Sequence, residues 1–156
     1  MDRFTIFAVK ISLIWMLLGF VIGGLMLVEH LVPGNWRAWL MPTHGHILFV
    51  GWFVQFVIGI AFWLLPRKRR PELPLGYGEH KAFTALAMLN IGLGLRVIAE
   101  PLWRDGYDGA WIDTLLAASS VLQVLTIFIF VSQMWPRIYG RNKLGAQPAK
   151  ESKNKQ

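Results

Sequence analysis

Apolar residues in this chain fall into four long runs, separated by short stretches rich in proline, glycine and charge. The cleanest run, Gly45 to Leu65, holds 21 residues without a formal charge and, beyond His46, one strongly polar side chain, Gln55. At about 1.5 Å per residue it crosses a hydrocarbon core of about 30 Å. Pro42 precedes the run and Pro66 follows its last apolar residue, so the pattern predicts a transmembrane helix bounded by two prolines. A first span is expected over Ile11 to Leu31. A third, Ala82 to Ala99, carries Asn90 near its middle and Arg96 near its end, with Glu100 and Pro101 following. A fourth, Trp111 to Trp135, places Ser120, Gln123, Ile127 and Phe130 along one face and stops at Pro136. The expectation is an all-α integral membrane four-helix bundle forming one domain over residues 1–140, with a polar, lysine-rich and disordered tail over 141–156.

Within the first span, Ser12, Gly19, Gly23, Met26 and His30 fall close to one line at about 100° per residue. Gly19 and Gly23 make a small-xxx-small pair, so this seam is expected to face a neighbouring helix, with His30 at its outer end. No short apolar region with a small-residue cleavage site precedes the span, which reads as a retained helix. Residues 32–43, with Pro33, Gly34, Trp36, Trp39 and Pro42, read as an interfacial loop folded down as a lid. The stretch from Pro66 to Lys81 reads as a basic loop.

The composition, 54% hydrophobic and 16% charged, is too apolar for an ordinary soluble domain. The net charge of +7 does not indicate a nucleic-acid partner, because the basic residues gather at helix ends instead of lining a polar face. They report orientation instead. Arg3, Lys10, the five basic residues of the middle loop and the six from Arg137 to Lys155 lie on one side of the expected bundle, against Arg37 and Arg104 on the other. Lysine and arginine favour the cytoplasmic side, which puts both termini in the cytoplasm of a multi-pass protein of the bacterial inner membrane.

Without cysteine, thiolate metal sites and thiol nucleophiles are excluded, and a metal must be held by histidine, methionine or carboxylate. On this topology His30, His44 and His46 lie at the outer end, where imidazoles suit a haem iron or copper, and His80 lies alone on the other side. His44 and His46 are about 200° apart on a helix, so only one can face the bundle. The His44 side continues through Gly51, Gln55, Gly59 and Phe62, small and polar. The His46 side continues through Val50, Phe53, Val57, Ile60 and Leu64, which suits lipid. Periodicity therefore favours His44. A copper site from His44, His46 and Met41 or Met26 is a further expectation, and Arg96 has two readings, as a partner of Glu100 or as a ligand-facing cation.

The run HGHILFVGWFVQFVIGIAFWLLPR resembles the second helix of subunit I of haem-copper oxidases and their nitric oxide reductase relatives. It is more similar still to the NnrS-type haem-binding membrane proteins linked to nitric oxide. LNIGLGLRVIAEPLW, followed by a helix ending in MWPRIYG, looks like the two closing helices of that family, and the likeness covers Pro42 to Arg141. It implies one haem b, with the family histidine on His46 through the HILFVG match and with Arg96 beside a haem propionate. Electron transfer or nitric oxide sensing is the function implied, alongside another respiratory-chain or nitric oxide-response membrane protein or as a homo-oligomer. The known families have many more helices and histidines, so this chain alone is not expected to reduce oxygen or nitric oxide. The competing expectation is a cofactor-free accessory subunit or assembly factor whose small-residue seams pack against a partner.

Overall fold

In the computed structural model, which describes residues 1–28, 31, 34–66, 71 and 73–138, the chain is all-helical. The long helices are α1 (Arg3–Leu27), α2 (Trp36–Leu64), α3 (Glu79–Arg104) and α4 (Ala110–Met134), followed by one 3-10 turn, Trp135–Arg137. Each long helix is apolar and long enough to cross a membrane. They turn Phe20, Phe49 and Phe128 outward, each more than 60% exposed, which is tolerable in lipid and costly in water. This is a multi-pass membrane protein.

Three helices run beyond their apolar cores. Asp2 caps α1, its carboxylate accepting from the Thr5 N–H at 2.9 Å, so the helix starts eight residues before Ile11. The expected lid is instead the first two turns of α2, where Trp36 to Thr43 are helical and Pro42 lies inside the helix. Packing of these turns on α1 and α3 outweighs the missing proline N–H. Likewise α3 passes through Pro101 to Arg104, and the chain then turns at Gly106, whose φ of 89° is left-handed.

The helices pack in chain order, α1 on α2, α2 on α3 and α3 on α4. At the end that carries residues 1 and 138, Phe4, Phe62, Tyr77 and Phe130 meet, with the Phe4 and Tyr77 rings each 4.8 Å from that of Phe62. Arg137 is buried beneath them and donates to carbonyls at and just past the end of α2, those of Phe62 (2.9 Å), Leu65 (2.7 Å) and Pro66 (3.2 Å). A residue read from sequence as a topology charge is thus the C-terminal cap of another helix.

In the middle of the bundle a polar chain ties three helices. Trp15 Nε1 donates to Asn90 Oδ1 (2.6 Å), Asn90 Nδ2 donates to Gln55 Oε1 (3.0 Å), and Gln55 Nε2 donates to the Ala8 carbonyl (3.1 Å). Close approach makes this possible. A Cβ on Gly59 would stand 3.0 Å from that of Ala8, and one on Gly51 would stand 2.8 Å from Trp15 Cγ.

Between these contacts, Ile47–Val54 forms a π-helical segment of α2. Its wider turns shift the buried line, which runs Thr43, Ile47, Gly51, Gln55, Gly59 and Phe62. The sequence-expected seam of Gly51, Gln55, Gly59 and Phe62 is therefore buried, but its outward continuation is Thr43 and not His44. On α4 the expected face is buried at Phe130 and half-buried at Gln123, while Ser120 and Ile127 are exposed and their neighbours Ser119 and Thr126 are buried in their place. Thr126 explains the choice, donating to the Ala85 carbonyl of α3 at 3.2 Å.

Candidate functional site

Opposite the termini, the glycine seam of α1 receives the His44 side chain. Gly19 is buried, and a Cβ on Gly23 would lie 2.9 Å from His44 Cε1, so the imidazole rests on the glycine where any side chain would displace it. His44 Nδ1 is 3.0 Å from the Gly19 carbonyl oxygen. A carbonyl only accepts, so Nδ1 carries the proton, and Nε2 is the ring nitrogen left for a metal. That is the tautomer and the anchoring carbonyl that metal-binding histidines use. The ring lines a cleft of about 690 Å3 between α1 and α2, whose walls also include Gly24, Met26, Arg37 and Met41.

His46 turns the other way. The line of Thr43 and Ile47 separates the two histidines, and His46 faces α3 instead of the lipid that periodicity assigned to it. Its Nδ1 donates to the Pro42 carbonyl at 2.8 Å and stands 3.5 Å from Glu100 Oε2. Glu100 is buried, and its Oε2 also receives Thr43 Oγ1 and Arg96 Nε, both at 3.4 Å, while Oε1 receives Arg96 Nη2 at 3.5 Å. One carboxylate thus gathers a guanidinium, an imidazole and a hydroxyl from two helices. Of the two readings of Arg96, its observed contacts are those of a partner of Glu100, and it does not line the cleft of His44.

No family model, curated protein or solved structure matches this chain.

Of the residues singled out from sequence, the structure brings His46 and Arg96 together around Glu100 and places His44 apart from them, on the α1 side. A copper site drawing on both His44 and His46 is therefore divided between two faces of α2, whereas His44, Met26 and Met41 share one cleft. His30 lies outside the described residues. His80 is exposed near the start of α3, at the end carrying residues 1 and 138. Sequence reasoning missed Glu100 as the centre of a cluster and Arg37 as the cation on the cleft. Glu100 had a usable signal, since an acidic residue one helical turn after Arg96 in an apolar run requires compensation. Arg37 had none, because it sat in a segment read as a loop.

Proposed function

We propose that this protein holds one b-type haem in the cleft between α1 and α2, with His44 as an axial ligand, and serves electron transfer or the handling of nitric oxide. The reading is carried by the His44 side chain. Its Nδ1–H is committed to the Gly19 carbonyl, which leaves Nε2 as the ring's donor atom on the wall of a cleft. Two further features support it. The cleft volume falls within the roughly 300–1,000 Å3 typical of cofactor and ligand sites. Arg37 puts a positive charge on the same wall, of the sign that suits a propionate, the role sequence resemblance gave to Arg96. When bound, the haem supplies a one-electron iron couple. The protein's part is to fix the imidazole tautomer, keep a side chain off the ring at Gly23 and hold the apolar surroundings.

The test is the absorption spectrum of detergent-purified protein expressed with ample haem. A Soret band and a reduced α-band are expected in wild type and absent or much reduced in His44→Ala, while His46→Ala and His80→Ala retain both. A colourless wild type would sink the proposal. The second reading, a cofactor-free accessory subunit of a respiratory membrane complex, would then take its place. One observation favours it: the bond from His44 to Gly19 also accounts for a histidine on this seam as a clamp between two helices.

The proposal includes a bacterial cytoplasmic membrane with both termini inside, supported by the excess of basic residues flanking the end that carries the termini. A reporter active only in the periplasm should be silent when fused after Gln156 and active within 105–109. The reverse pattern would invert the bundle and place the cleft of His44 at the cytoplasmic side.

A further inference from the structure

We infer that the second protein donor to an iron held by His44 is the thioether of Met26, making the centre a histidine–methionine pair; this rests on the haem reading above. His46 is unsuitable because it points to the α3 side of the helix, with Nδ1 between the Pro42 carbonyl and Glu100. Among the described residues, the cleft has two other donors able to bind iron, the sulfurs of Met26 and Met41. They differ in position. Met41 lies one turn before His44 on the same helix, so both reach a shared metal from one wall, whereas axial ligands must approach from opposite sides. Met26 comes from the facing helix, three residues beyond Gly23, the residue on which the imidazole rests. It therefore stands on the same face of α1 as the ring and about one turn farther out.

This deepens the function in one direction. A thioether opposite an imidazole raises the reduction potential and occupies the position a gas would need, so the pair suits electron transfer over gas capture.

The experiment compares wild type with Met26→Leu, Met41→Leu, Met26→His and His30→Ala by ferric and ferrous spectra, redox titration and carbon monoxide addition. Wild type should be low-spin, with a sulfur-to-iron charge-transfer band when ferric and no carbon monoxide shift when reduced. Met26→Leu should lose that band, become high-spin, bind carbon monoxide and fall in potential. Met26→His should restore a low-spin spectrum at a lower potential than wild type, which shows that the position itself ligates. Met41→Leu and His30→Ala should match wild type. The inference is overturned, with the haem reading intact, if Met26→Leu keeps the wild-type spectrum and potential while His44→Ala loses haem. It is equally overturned if the spin change follows His30→Ala or Met41→Leu. Purified wild type carrying copper and no haem would overturn both readings, since an imidazole with two thioethers is also a donor set that monovalent copper selects.

Discussion

Arg137→Ala is expected to lower the stability of the bundle by about 3–4 kcal/mol, a large effect for a residue outside the four long helices. Arg137 is 1% exposed, and its guanidinium serves the carbonyls of Phe62, Leu65 and Pro66, at and just past the end of α2, where no further helical turn supplies N–H partners. It also sits 5.5 Å from the ring centroids of both Phe62 and Tyr77, so its loss opens a gap in the aromatic cluster. Arg137→Lys separates charge from geometry. One ammonium cannot copy the planar fork, so about half of the loss should remain. Unfolding followed by circular dichroism in detergent is the measurement. Equal stability of Arg137→Lys and wild type would show that charge alone matters there.

Glu100→Leu should be the corresponding change at the other end, costing about 3 kcal/mol. That is the lower part of the roughly 3–5 kcal/mol expected when one partner of a buried ion pair is removed, because Arg96 keeps a quarter of its surface exposed and its contacts are long. The double variant Arg96→Leu/Glu100→Leu should recover much of the loss, since it leaves no uncompensated charge in an apolar setting. If the two changes were additive, the cluster would not act as a unit. Haem content provides an independent reading. Glu100→Leu should leave the spectrum of folded protein unchanged, because the cluster faces α3 and the cleft of His44 faces α1.

Four spans were legible because an apolar run of membrane length with at most one formal charge has no stable place in a small soluble fold. The seam of Ser12, Gly19 and Gly23 was legible too, because small residues repeated at helical spacing mark close approach. Helix ends were less so. The start at Arg3 depends on the Asp2 cap, and the start of α2 at Trp36 depends on tertiary packing that a run of mixed polarity does not reveal. The candidate site was legible by residue type and not by direction. His44 and His46 were rightly separated by their angle, but the side each faces depends on the π segment, and an even 100° step cannot register a widened turn. Gln55 and Asn90 stood out as polar residues in apolar runs, yet their bond to each other joins two helices 35 residues apart in sequence.

The π segment has a mechanical consequence for helix α2. The buried line from Thr43 to Phe62 takes about one residue more than five α-helical turns would, so the outer third of the helix is set against the inner third like a screw thread with one extra notch. Were the segment to tighten to α geometry at constant length, the outer turns would rotate by about 100°. His44 would then swing from α1 toward the position of Thr43, against Glu100. Removing one residue from Ile47–Val54 would absorb the notch and leave both ends facing as they do now, whereas adding one would widen the mismatch. The thread is thus more tolerant of shortening than of lengthening, and the direction in which His44 points is written into its pitch.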